Sequence, residues 1–264
     1  GTIASLLPIE RKRVVDINLS LCFPSLSERE RRKIARKNWQ LFGKSITERA
    51  FLWVGSERDI KKLVTVESEV VLNDGKPRLL VGMHLIGIEA GAIALSLHMS
   101  ELGIKKPTTL YVKMKNDFFD ERIKKWRERF GAVMLNRLQS SREMLRSLRS
   151  GQPLVISPDM DLGLQDSVFV PFFNVSTCTV TSVSRIAQLA HAEVCTVTTT
   201  LNADGHSYTC RISKPWDNFP TQDVIQDTER LNQYFESQIL PRISEYYWLH
   251  KRFKNRPNQQ PKFY

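Results

Sequence analysis

From residue 63 to residue 239, short apolar runs alternate with stretches whose apolar residues return every three or four positions. The first kind fits buried strands and the second fits helices with one apolar face. The pattern predicts strands over 63–72, 77–84, 108–112, 132–135, 153–157, 167–173 and 193–201, with helices over 87–102, 117–130, 140–149, 181–191 and 221–239. Asn202-Ala203-Asp204-Gly205 is a turn signal, which makes 208–212 the return arm of a hairpin. Strands and helices in this order predict an α/β protein, a mostly parallel central sheet flanked by helices.

Residues 1–62 read as an N-terminal helical segment, 63–245 as the α/β core, and 246–264 as a basic, aromatic tail ending in a Pro-rich, unstructured stretch. Ser27 and Glu30 form a capping box at the start of one N-terminal helix. With no internal repeat and no low-complexity linker, the 264 residues are expected to be one domain.

Composition narrows the partners. Hydrophobic residues make up 41%, enough for a core, and the net charge of +11 points to anionic partners: nucleic acid, a membrane surface or an acidic protein. Cys22, Cys178, Cys195 and Cys210 are scattered, which suits neither a zinc site nor a disulfide framework. No run of 18 apolar residues is present. Cations at 11–13, 29–37 and 251–256, with Trp39, Tyr247, Trp248 and Phe253, suit an anionic bilayer surface, while the basic helix equally suits a solvated face and the tail a single-stranded nucleic acid.

The candidate chemistry sits after the second strand. His84 falls where that strand ends, and Glu89 in the first turn of the next helix. A neutral imidazole can take a proton from a hydroxyl near pH 7, and a carboxylate on its other nitrogen fixes the tautomer. Glu89 is expected to turn back and supply that carboxylate; a hydrogen-bonded turn histidine beside a dipole-serving glutamate is the bland alternative. Asp159 and Asp161 follow another strand, at the edge where α/β sheets place ligands. They suit hydrogen bonds from a substrate, a pairing with arginine, or simply an Asp-rich turn; no metal is expected there. Arg127 either holds an anion, steadies an oxyanion, or serves the end of its helix. No Ser elbow, zinc-protease His pair or dinucleotide glycine fingerprint is present.

Five motifs come in order: Met83-His84-(x4)-Glu89, Trp126-Arg127-x-Arg129-Phe-Gly, Pro158-Asp159-Met-Asp161-x-Gly, Ser167 to Phe173, and Tyr247-Trp-Leu-His-Lys-Arg-Phe-Lys-Asn-Arg-Pro257. Together they resemble the late (secondary) acyltransferases of lipid A biosynthesis, the lauroyl and myristoyl transferases of Gram-negative bacteria. The resemblance implies a glycerolipid acyltransferase-like fold. It also implies transfer of a fatty acyl chain from acyl carrier protein to a hydroxyl of a lipid A precursor, at the cytoplasmic face of the inner membrane. It makes His84 and Glu89 the catalytic pair, without an acyl-enzyme, and assigns Arg127, Asp159 and Asp161 to substrate. It implies neither cofactor nor metal, a monomer, and an N-terminal membrane helix that this chain is expected to lack. Two other readings remain at this stage: an acyl-CoA-dependent transferase acting on a glycosylated phosphoinositide, and a basic nucleic-acid-binding module.

Overall fold

Twenty-seven residues of unbroken helix, Glu28–Val54, form the longest element of the N-terminal segment, and the Ser27–Glu30 capping box starts it as expected. The computed structural model describes residues 9–104, 106–136 and 141–264; residues 1–8 of the expected helical segment and Ser140 of the expected helix lie outside them. In chain order the helices are α1 (Ile9–Cys22), α2 (Glu28–Val54), α3 (Glu57–Leu63), α4 (Ile88–Glu101), α5 (Asp117–Arg127), α6 (Ser141–Arg149), α7 (Ser182–Ala190) and α8 (Val224–Ile239). The strands are β1 (Val64–Ser68), β2 (Arg78–Val81), β3 (Thr108–Tyr111), β4 (Val133–Asn136), β5 (Leu154–Ile156), β6 (Ser167–Phe172), β7 (Val175–Val180), β8 (Glu193–Leu201) and β9 (Tyr208–Ile212).

Seven strands form one sheet in the order β1-β9-β8-β2-β5-β3-β4. Every described pairing in it is parallel except β8 with β9. The protein is therefore α/β, with a mostly parallel sheet flanked by helices. β2 lies inside the sheet and all four of its residues are buried, which is why Leu79, Leu80 and Val81 read as a continuous apolar run. Its first residue, Arg78, is buried too, and Asp74 clamps its guanidinium at 2.6 Å through both terminal nitrogens.

Behind β2 the chain packs without slack. A Cβ at Gly91 in α4 would overlap the Thr199 side chain of β8, so glycine there lets helix and sheet meet. β6 and β7 stand apart as a two-stranded antiparallel ribbon. β7 is absent from the expected elements, although Val175-Ser-Thr-Cys-Thr-Val180 has strand composition. Its turn, Phe173-Asn174, has φ of 49° and 62°, the left-handed geometry that two-residue hairpins use.

The tail is where structure and expectation part most. Tyr246, Trp248, Arg252 and Phe253 are all at most 2% exposed and lie in the interior. Buried Asn18 of α1 donates to the carbonyls of Trp248 and His250 at 2.7 and 2.8 Å. Buried Asn38 of α2 donates to those of Ser244 and Tyr246 at 2.9 and 2.7 Å. Three carbonyls of the tail, and that of Ser244 before it, are thus satisfied by side-chain amides, which helps an irregular segment to be buried. Trp39 is buried as well. So Trp39, Trp248 and Phe253 are core residues and not interfacial anchors. Among the described residues no helix is long and apolar enough to cross a membrane.

Candidate active site

β2, β5 and β3 are parallel neighbours, so the segments leaving their carboxyl ends emerge at one edge of the sheet. His84 leaves β2, and Asp159 leaves β5. Asp159 accepts from His84 Nδ1 at 2.6 Å and from the His84 backbone N–H at 2.8 Å, using one carboxylate oxygen for each. Asp159 is fully buried, whereas about 30% of the His84 side chain is exposed. With Nδ1 carrying the proton that Asp159 accepts, Nε2 presents a lone pair and has no protein partner among the described residues. That is the tautomer a general base needs.

The electrostatics favour charge on both partners. Burial pulls the imidazole pKa down, but the charge and hydrogen bond of Asp159 outweigh it, and the net shift is upward from 6.5. Burial raises Asp159, while the charge and hydrogen bonds of His84, helped by the Arg252 guanidinium, bring it below its ordinary value. Arg252 has no carboxylate partner among the described residues. It donates to the Cys178 carbonyl at 2.8 Å and to Thr179 Oγ1 at 2.9 Å, and lies 5.2 Å over the Phe172 ring. A buried cation placed this way acts through space on the buried anion.

The tail also fixes the loop that carries His84. Tyr247 donates its backbone N–H to the His84 carbonyl at 2.9 Å, and Ile86 donates to the Glu245 carbonyl at 2.8 Å. Tyr246 donates its hydroxyl to the Asp159 carbonyl at 3.2 Å. His84 and Asp159 are both braced by the same short segment.

Glu89 does not pair with His84, contrary to expectation. From the first turn of α4 its carboxylate faces α2 and α5, where Arg127 takes both oxygens: Nε to Oε1 at 2.7 Å and Nη2 to Oε2 at 2.5 Å. Trp53 of α2 adds an indole N–H to Oε1 at 2.8 Å. A planar fork meeting a carboxylate satisfies both partners more completely than a single imidazole contact could. Burial alone would raise the Glu89 pKa, yet Arg127 and Trp53 hold it below 4.5. Trp53 in turn stacks on Trp126, with ring centroids 5.1 Å apart. Arg127, expected to meet substrate, has its Nε and Nη2 committed to Glu89; Nη1 has no protein partner among the described residues.

Asp161 departs from expectation in a different way. Its oxygens accept from the Asn255 backbone and side-chain amides at 3.0 and 2.6 Å and from the Gly163 N–H at 3.1 Å. Its own N–H donates to His250 Nε2 at 3.1 Å. Burial, with the cations Arg252 and Lys254, keeps that imidazole neutral, its pKa lowered to about 4. Asp161 is 1% exposed and ties the tail down, with no oxygen left for a sugar. Asp159, likewise expected to meet substrate, spends its carboxylate on His84 instead.

No thiol competes with the imidazole. All four cysteines are free and buried, and burial raises each thiol pKa, Cys195 and Cys210 to about 11. Sequence reasoning missed Trp53, Tyr246 and Arg252. Arg252 carried a signal, since it stands in the ordered tail motif, and Tyr246 immediately precedes that motif.

An imidazole backed by a buried carboxylate on an α/β sheet can serve a class of enzymes that activate a hydroxyl for attack on an acyl group. The chain belongs to the family described as bacterial lipid A biosynthesis acyltransferase, whose profile matches residues 1–255. It is an acyltransferase. A lipid A biosynthesis acyltransferase of Haemophilus influenzae is 35% identical over 254 residues, 95% of this chain and 79% of that one. The lipid A biosynthesis lauroyltransferase of Escherichia coli K12 is 29% identical, covering all of this chain and 86% of its own. The palmitoleoyltransferase of the same strain is 27% identical over 96% and 82%. The crystal structure of the 1-acyl-sn-glycerophosphate acyltransferase PlsC from Thermotoga maritima overlaps with a TM-score of 0.40 at 16% identity, covering 86% of this chain and 88% of that one.

Proposed function

We propose that the protein transfers a fatty acyl chain from the thioester of acyl carrier protein to a hydroxyl of a lipid A precursor, at the cytoplasmic face of a bacterial inner membrane. The observation that carries the mechanism is the 2.6 Å contact between His84 Nδ1 and buried Asp159. His84 Nε2 takes the proton of the acceptor hydroxyl as its oxygen attacks the thioester carbonyl. Asp159 stabilises the imidazolium that forms. The tetrahedral intermediate then collapses: the C–S bond breaks, the thiolate takes the proton back from the imidazolium, and the new ester leaves. Arg127, held in register by Glu89, turns its remaining N–H donors towards an anionic oxygen of the acceptor. The basic net charge suits both an acidic carrier protein and a phosphorylated lipid.

The test is transfer followed by mass: enzyme, acyl carrier protein loaded with a fatty acid, and a lipid A precursor. The expected product is the precursor heavier by one acyl chain, with unmodified protein when the donor is supplied alone. Failure to acylate the precursor, or a covalent acyl-protein formed with donor alone, would overturn the reading.

A further inference from the structure

Every residue from Val112 to Phe119 is exposed. This segment leaves β3 at the same edge of the sheet as His84, then turns into α5. It is not loose: the Met114 N–H donates to buried Asp120 at 2.7 Å, and Asn116 caps the helix by accepting from the Phe119 N–H at 3.2 Å. Yet it displays Val112, Met114, Phe118 and Phe119 at 63%, 45%, 63% and 55% exposure. Four bulky apolar side chains displayed in solvent on one short segment, Phe118 and Phe119 with ring centroids 5.6 Å apart, mark a contact surface.

Cations surround them. Positions 112–127 hold six basic residues against three acidic ones, so the local charge is positive. Lys113 and Lys115 alternate with the apolar residues of the tip. Arg122 sits 5.5 Å over the Phe118 ring and 5.9 Å over that of Trp126. Lys124 and Lys125 follow about 9 Å further along the α5 axis from the two phenylalanines, at 1.5 Å per residue. An apolar tip with cations set back by roughly 5–10 Å matches the depth between the acyl boundary and the phosphates of a leaflet. At the other end of α5, Arg127 grips Glu89, so the tip projects ~13 Å beyond that contact along the helix.

We propose that the β3–α5 tip, with Phe118 and Phe119 at its apex, is the surface by which this protein enters an anionic phospholipid leaflet. The proposal rests on the reading that the acceptor is a bilayer lipid. It moves the membrane contact from Trp39, Trp248 and Phe253, which are buried, to a segment tied through Arg127 and Glu89 to the start of α4. The lipid surface and the acceptor hydroxyl are then met by adjoining parts of one face.

The test compares the full chain with its F118D/F119D variant, both side chains being exposed and so replaceable without loss of the fold. Co-sedimentation is measured with vesicles of phosphatidylcholine containing phosphatidylglycerol and with phosphatidylcholine alone. The wild type is expected to prefer the anionic vesicles, and the variant to partition about tenfold or more weakly, the order lost when two phenyl groups stay in water. Transfer to an acceptor in detergent micelles is followed on the same samples and should be equal in both. Unchanged vesicle binding by the variant would overturn the proposal; so would weakened binding of acyl carrier protein with vesicle binding intact, which would make the tip a protein dock. If the wild type itself fails to transfer in micelles, the acyl-transfer reading falls while the vesicle comparison still decides this one.

Discussion

Asp159 and Glu89 both stand within a few residues or one hydrogen bond of the loop that carries His84, and they hold different partners. Asp159 has a titrating imidazole on one oxygen and a backbone N–H on the other. Glu89 has a guanidinium across both oxygens and an indole N–H besides. The first pairing can change charge near neutral pH, because imidazole gains and loses a proton there. The second cannot, because the guanidinium stays charged. One carboxylate therefore backs the imidazole, while the other joins α2, α4 and α5. Nearness in sequence pointed to the wrong one of the two.

The strongest way to break this comparison is Asp159→Asn. An amide keeps the shape but cannot favour the imidazolium, and it allows the wrong tautomer; turnover should fall about 10³-fold or more. Its pH profile should shift as well. In the wild type the neutral base appears only above the raised imidazole pKa; without Asp159 the acid limb should move to lower pH. Stability carries the same signature. The His84 contribution is complete below its unfolded value of 6.5 and is lost as pH rises through the higher folded value. The Asp159 contribution is present above 3.8 and is lost as pH falls through the lower folded value. Unfolding followed against pH should show both slopes in the wild type and neither in the variant. An unmoved acid limb would sink the assignment of Asp159.

Glu89→Gln sharpens the contrast. It should also slow transfer, by about 10²-fold, because Arg127 and the start of α4 lose their shared anchor and small misplacements near chemistry are costly. The acid limb of the pH profile should stay where the wild type has it. A limb displaced as far as in Asp159→Asn would return Glu89 to the role of imidazole partner.

What could be read in advance was local. The β8–β9 hairpin matches its expected bounds because Asn202 to Gly205 spell a turn between two β-branched runs. The bounds of α4 agree to one residue at each end for a similar reason, Gly87 before a periodic apolar stretch. The partner of His84 depended instead on which strand lies beside β2, and strand order is not written in any short stretch. A His after β2 and an Asp after β5 meet only because β5 is the neighbour. The tail misled for a related reason. Segments 112–127 and 246–256 both interleave aromatics with cations, yet the first holds Phe118 and Phe119 in water and the second buries Tyr246, Trp248 and Phe253 in the core. Asn18 and Asn38, more than 200 residues away, supply the hydrogen bonds that make burying the second possible. Composition describes what a segment carries and is silent about who waits to pair with it.

Asp161→Asn tests the structural side without touching the base. Its carboxylate accepts three N–H groups inside the protein, and an amide reverses one of its two acceptors into a donor facing donors. The expected cost is about 2 kcal/mol, or a fall of roughly 4–8 °C in Tm for a chain of this size. Turnover of the folded variant should stay within about threefold of wild type, because Asp161 neither contacts His84 nor faces solvent. A large loss of turnover with Tm unchanged would restore Asp161 to the substrate.

The smallest effect expected is that of Trp53→Phe, and it isolates one hydrogen bond of the Glu89 cluster. Phenylalanine keeps an aromatic face for Trp126, whose ring lies nearly parallel at 17°, but it has no N–H for Glu89. Arg127 still satisfies both carboxylate oxygens, so no buried charge is left alone and the penalty is that of a single bond to a charged acceptor, about 1–2 kcal/mol. Tm should therefore drop by roughly 2–8 °C. The pH profile should superimpose on that of the wild type, because His84 and Asp159 are untouched. Since Arg127 loses none of its own bonds, acceptor KM should change by less than about threefold. If KM rises tenfold or more while kcat holds, the indole would be aligning Arg127 towards the acceptor rather than bracing Glu89, and the carboxylate–guanidinium pair would belong to the substrate site more directly than its geometry implies.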